Sequence, residues 1–190
     1  LEKRLNDGSK TMEFNKTAIN AFDLFILMRK KSKENLSKKE IENAKVYFNN
    51  LDYDQTEKLT KSIISGLPGS EESYDLSEFS KKISEYDGIS SYILRSNLIS
   101  FLSHIIPVCD KYEIKLCIHP DDPPFSIFGL PRVVSRYDDL LNIFKTFSSN
   151  NNGLTYCTGS FGARLDNDLI KIFKDFSERV HFIHLRNIKI

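Results

Sequence analysis

After residue 112 the chain repeats one pattern: a short apolar segment, a loop or turn, then a stretch with helical spacing. The apolar segments span 114–118, 153–157 and 180–184, and the intervening helical stretches span 133–148 and 165–176. Strands alternating with helices of this length predict βαβ units around a parallel sheet. A potential metal ligand stands at the end of each strand: His119, Cys157 and His184. These ligands are 38 and 27 residues apart, which suits single-helix crossovers.

In parallel α/β folds, ligand sites lie at the carboxyl ends of the strands. Side chains alternate between the two faces of a strand. Cys117 and His119 therefore share a face, as do Thr155 and Cys157, and Phe182 and His184. The opposite face carries Leu116, Ile118, Leu154 and Tyr156 and is expected to pack against helices. Two imidazoles and a thiolate suit a transition metal such as Fe, Zn, Mn or Co better than Ca or Mg. Alternation by itself leaves two readings open: metal ligands, or ordinary side chains at strand ends. His181 falls on the face opposite His184, and His104 reads as a packing or surface residue of a helix. Cys109 and Cys117 read as small buried residues.

Several residues near these strand ends are candidates to touch a substrate. Asp121 and Asp122 follow His119 in a proline-bracketed loop, where a turn role competes with substrate contact. Arg132, Arg164 and Arg186 could each meet a carboxylate in bidentate geometry, or lie on the surface. The glycines of Thr158-Gly-Ser-Phe-Gly-Ala-Arg164 allow close backbone approach before a helix start that could bind an anionic group.

Residues 1–100 differ in composition, being rich in Lys, Glu, Ser and Asn. Helices are predicted near 16–30, 38–51, 55–65, 76–86 and 91–112. Ser37 with Glu40, Asp54 with Glu57 and Asp75 with Glu78 have the form of capping boxes. Gly66-Leu-Pro-Gly69 is expected to stop the third helix. The domain organisation expected is a mainly helical insertion or cover over 1–100 and a β/α segment carrying the ligands over 101–190.

The 190 residues are enough to bury a sizeable core. Net charge is +1, from 27 basic and 26 acidic residues, which gives no bulk attraction for nucleic acid or an anionic membrane. Three sparse cysteines make a poor disulfide framework and point to a reducing cytosol. No run of 18 apolar residues predicts a membrane span, and the first ten residues do not read as a signal peptide. The abrupt start and the apolar stretch at the end suggest a piece of a longer protein.

Five segments carry a family resemblance: Ile118-His-Pro-Asp-Asp-Pro-Pro124, Gly129-Leu-Pro-Arg132, Cys157-Thr-Gly-Ser160, Asp166-Asn-Asp168 and His184-Leu-Arg186. In order and spacing they resemble the signatures of mannonate dehydratases. Asp7-Gly-Ser-Lys10, residues 21–27, Gly66-Leu-Pro-Gly69 and Tyr86-Asp-Gly88 resemble the helical middle section of longer members. The resemblance implies part of a (β/α)8 TIM barrel of the xylose-isomerase-like type, with a helical insertion in the N-terminal half of this chain. It implies a cytoplasmic lyase of hexuronate breakdown that dehydrates D-mannonate to 2-keto-3-deoxy-D-gluconate using Mn(II) or Fe(II). It matches His119, Cys157 and His184 to metal-binding positions. It further implies an Asp ligand and His and Tyr acid/base groups, for which residues 1–190 hold no counterpart. Expected partners are the sugar-acid substrate and further copies of the chain in a homo-oligomer, with neither nucleic acid nor membrane. Two alternatives stay open: another metal-dependent sugar isomerase or epimerase of this barrel type, and a non-catalytic protein that binds metal or sugar acid.

Overall fold

The computed structural model describes residues 2–65 and 74–189. Packing divides the chain into two units, Leu1–Asp87 with Ile127–Leu130, and Gly88–Ser126 with Pro131–Ile190. The expected stop at Gly66-Leu-Pro-Gly69 lies outside the described residues.

The first unit opens with an antiparallel hairpin of β1 (Glu2–Arg4) and β2 (Lys10–Met12), which the polar, charged sequence did not announce. Its turn uses Gly8 at φ +86° and the Asp7 side chain, which accepts from Ser9 N. Helix α1 (Lys16–Ala21) runs into a π-helical turn at Phe22–Ile26, so the long helix expected over 16–30 is shorter and irregular at its end. The chain then turns at Met28, φ 50°, and Arg29 forms a two-pronged ion pair with buried Asp23. Helices α2 (Lys38–Asn49), α3 (Tyr53–Ser65) and α4 (Leu76–Ser84) follow.

Capping boxes form at Ser37–Glu40 and Asp75–Glu78 as expected. For α3 the box lies two residues earlier than the sequence pattern suggested. Asp52 accepts from Gln55 N, and the Gln55 side chain accepts from Asp52 N. Asp54 then stands in the first turn, where a carboxylate suits the positive end of the helix dipole. Phe22, Phe79 and Phe128 meet edge to face at centroid distances of 5.7–6.0 Å in the core of this unit.

The second unit begins with α5 (Ser91–Tyr112) and continues through β3 (Leu116–Ile118), α6 (Tyr137–Thr146), β4 (Asn152–Cys157), α7 (Thr158–Gly162), α8 (Leu169–Phe176) and β5 (Val180–His184). The three strands form a parallel sheet in the order β3-β4-β5. Leu154 and Tyr156, with Leu116, Ile118 and Val180, pack against Leu102 and Ile106 of α5, Leu140, Ile143 and Phe144 of α6, and Ile172 and Phe176 of α8. Burying a side chain such as Leu154, which is fully enclosed, stabilises the sheet by roughly 1.5–3 kcal/mol.

By length and composition α5 is apolar enough to cross a membrane, although no continuous run of 18 apolar residues exists in it. Its Leu94, Leu98, Leu102 and Ile106 pack into the core of this unit, and its Arg95 pairs with Asp139 at 2.8 Å.

Helix α5 and strand β5 keep the bounds of their sequence patterns, while β3, α6 and α8 are shorter than theirs. Strand β3 starts at Leu116 because Glu113 takes a left-handed conformation that ends α5, and Ile114 N bonds back to Cys109 O. Helix α6 starts at Tyr137 rather than near Val133. The N–H groups of Val133 and Val134 and the Ser135 hydroxyl are all taken by the Asp121 carboxylate, at 2.7–2.9 Å. Helix α8 starts at Leu169, where Asp168 caps it by accepting from Lys171 N.

Candidate metal centre

Parallel pairing brings the carboxyl ends of the three strands side by side, with Cys157 directly opposite His184. The donor atoms of His119, Cys157 and His184 all lie within 4.8 Å of one another. Cys157 is fully buried at the floor, while the two imidazoles are exposed at the rim with ring centroids 5.8 Å apart. Leu116, Ile118, Leu154, Tyr156 and Val180 are turned into the helical core, which leaves His119, Cys157 and His184 on the other side.

The donors are prepared by their neighbours. His119 Nδ1 lies 2.7 Å from the Pro120 carbonyl, which can only accept; Nδ1 therefore carries a proton, and Nε2 is the nitrogen that can face a metal. Cys157 is the N-cap of α7, and its sulfur accepts from Ser160 N at 3.4 Å and from Ser160 Oγ at 3.3 Å. Cys157 Sγ lies 3.6 Å from His184 Nδ1. A tetrahedral ion with bonds of about 2.3 Å to sulfur and about 2.1 Å to nitrogen would set these two atoms about 3.6 Å apart. The donor set thus fits a first-row transition metal in identity, and its Cys157–His184 pair fits in spacing, with the exposed side open to further ligands.

The remaining candidates occupy distinct places. Asp121 uses Oδ2 to hold residues 133–135, and its own N–H donates to Val134 O. Asp122 pairs with Arg186 at 2.6 Å, an exposed contact that raises the pKa of Arg186. Arg164 forms a two-pronged pair with Asp166 and gives Nη1 to the Pro124 carbonyl. Arg132 gives Nε to the Phe125 carbonyl at 3.4 Å. The trio of ligands is thus brought together, whereas Asp121 and Arg164 are occupied in shaping the loops around it.

Cys117 shares the face of His119 two residues before it, and burial pushes its thiol pKa up. His104 is exposed and bonds to Ser100 O within its own helix. For His181 strict alternation gives the wrong side. The register shifts between Leu154 and Thr155, so that Leu154 pairs with Val180 but Thr155 with Phe182. His181 is the extra residue, and its ring fills the space that a Cβ on Gly153 would need, 2.1 Å away. Gly153 shares the face of Thr155 and Cys157, so the bulge turns His181 toward the ligand side of the sheet, far down the strand from the metal trio.

Sequence reasoning missed Ser160. It is fully buried and touches the Cys157 sulfur through two groups. The available signal was its spacing: a donor three residues after a strand-end Cys has the geometry of an N-cap.

The sequence profile of the D-mannonate dehydratase (UxuA) family matches residues 1–190. The mannonate dehydratase of Marinomonas sp. (strain MWYL1) is 44% identical over 189 residues, covering 100% of this chain and 48% of that protein. That of Saccharophagus degradans (strain 2-40 / ATCC 43961 / DSM 17024) is 41% identical over 189 residues, with the same coverage. The crystal structure of mannonate dehydratase from Streptococcus suis serotype 2 superimposes with a TM-score of 0.51 at 36% identity, over 52% of this chain and 29% of that one. The chain spans about half the length of the curated relatives it matches. The full-length match, joined to a His-Cys-His cluster on a parallel sheet, shows that this chain belongs to the D-mannonate dehydratase family.

Proposed function

We propose that this chain is the part of a mannonate dehydratase that supplies three metal ligands, in a protein that converts D-mannonate to 2-keto-3-deoxy-D-gluconate. The observation carrying this reading is the convergence of His119, Cys157 and His184 at three adjacent strand ends, donor atoms within 4.8 Å. The parallel sheet with helices packed on one face is what a segment of a (β/α)8 barrel would contribute. Mn(II) or Fe(II) is the metal we assign. The Cys ligand disfavours a sugar isomerase or epimerase, whose sites are usually rich in carboxylates.

Abstraction of the proton alpha to a carboxylate builds negative charge on the carboxylate oxygens, and a bound divalent cation stabilises such charge as a Lewis acid. The residues of this chain hold and orient. The Pro120 carbonyl fixes the His119 tautomer, and Ser160 fixes the Cys157 sulfur. Among the described residues Arg132 has its terminal guanidinium nitrogens available to an anion, and it is the arginine we assign to the sugar carboxylate. A reducing cytoplasm fits the three free cysteines, and a homo-oligomer fits a metabolic lyase.

The test is an assay of full-length protein with D-mannonate and Mn(II), comparing wild type with Cys157→Ser and His184→Ala, with bound metal measured in each. We expect both variants to lose metal and to fall by more than about 100-fold in kcat/KM. Full activity in both would refute the metal assignment.

A further inference from the structure

One arginine joins the loops that follow all three ligands. Arg186, two residues after His184, sends Nη2 to the Asp122 carboxylate at 2.6 Å and to Ser160 Oγ at 2.9 Å. Asp122 stands three residues after His119, and Ser160 three residues after Cys157. Ser160 Oγ itself donates to Cys157 Sγ at 3.3 Å. The backbone of Arg186 is tied at the same place. Its N–H donates to Thr158 Oγ1, and Thr158 Oγ1 donates to the Arg186 carbonyl, both at 2.9 Å.

Packing leaves the arginine little freedom. A Cβ on Gly159 would stand 2.5 Å from Arg186 Nε and 2.8 Å from Arg186 Cβ, so the absence of a side chain there makes room for the guanidinium stem. Among the described residues Arg186 Nε is buried with no oxygen or nitrogen partner, and the guanidinium also interacts with the Cys157 sulfur. A buried donor with no such partner is costly and is retained where surrounding contacts hold the group in place.

Resting on the metal-centre reading above, we propose that Arg186 is a positioning residue. It brackets the loop after β3 and the start of α7 onto the end of β5, and so sets the spacing of His119, Cys157 and His184. Three ligands on three strands have no covalent reason to keep a common spacing. A planar guanidinium that reaches a carboxylate and a hydroxyl supplies one, because its donors are fixed relative to each other. In this arrangement Arg186 acts through Asp122 and Ser160 and leaves the substrate carboxylate to another group.

The test uses full-length protein stripped of metal and titrated with Co(II), whose thiolate charge-transfer absorption reports on Cys157. Arg186→Gln is expected to weaken Co(II) binding by about 10–100-fold and to alter that absorption. Arg186→Lys, which keeps the charge without the planar guanidinium, should recover part of the affinity. Ser160→Ala should alter the absorption more than the affinity. Amide hydrogen exchange of Asp121 and Asp122 and of residues 158–164 in the metal-free protein should be faster in Arg186→Gln than in wild type. Unchanged Co(II) affinity and absorption in Arg186→Gln, with only KM for D-mannonate raised, would overturn the bracket in favour of direct substrate contact. A wild-type protein that takes up no Co(II) through a thiolate would instead overturn the metal reading. Hydrogen exchange then still decides: faster exchange in Arg186→Gln supports the bracket, and unchanged exchange refutes it.

Discussion

Each of the two units is held together by bonds of a different range. In the first, the side-chain bonds that start the helices are local. Ser37 caps with Glu40, Asp52 with Gln55 and Asp75 with Glu78, each pair three residues apart. In the second, the defining bonds cross long stretches of chain. Arg95 reaches Asp139 over 44 residues, Ser149 reaches Asp110 over 39, and Arg186 reaches Asp122 over 64. A cap forms with its own helix and is lost with it. A long-range bond requires loop closure first and exists only once the sheet has assembled. The three candidate metal ligands belong to the second kind, so their geometry depends on the whole sheet rather than on any single element.

This contrast can be broken most sharply in the core behind the ligands. Leu154→Ala removes a fully buried side chain from the central strand and should destabilise the full-length protein by about 2–5 kcal/mol in urea unfolding. It should also weaken Co(II) binding, since Leu154 and Cys157 share a strand. Unaltered metal affinity alongside lost stability would separate the site from the sheet. In the first unit, Ser37→Ala removes a cap and should cost about 1 kcal/mol. It should leave Co(II) affinity unchanged, and a shift there would mean that local order in the first unit reaches the ligands.

The smallest effect is in acid. The ammonium of Lys16 and the Ser37 cap hold the Glu40 carboxyl down at about 2, below its ordinary 4.5. A depressed carboxyl contributes stability that is fully present above its unfolded value and fades as pH falls from about 4.5 toward 2. The stability difference between wild type and Glu40→Gln should therefore shrink over that interval. A difference that stays constant down to pH 2 would remove Glu40 from the acid response.

Legibility followed the same divide. Helix starts at Ser37 and Asp75 were readable because capping chemistry is confined to four consecutive residues. The box at Asp54 was misplaced because Asp52 with Gln55 satisfies the same rule two residues earlier. Val133–Ser135 were expected in a helix, and nothing in their local pattern says that Asp121, 12–14 residues upstream, holds their donors. His181 was assigned to the wrong face because a bulge adds one residue to β5, and a parity argument fails after a single insertion.

The sequence by itself determined the parallel β/α order of the second unit, the apolar faces of β3 and β4 and the three donor residues at the strand ends, because period-2 and helical spacing are properties of the chain. The spacing of those ligands, the tautomer of His119, the pairing of Cys157 with Ser160 and the Asp122–Arg186–Ser160 connection were decided only by the tertiary structure. Each of these depends on a donor meeting an acceptor at a fixed distance and angle. Where the partner lies across a strand or a loop, no periodicity in the chain records it.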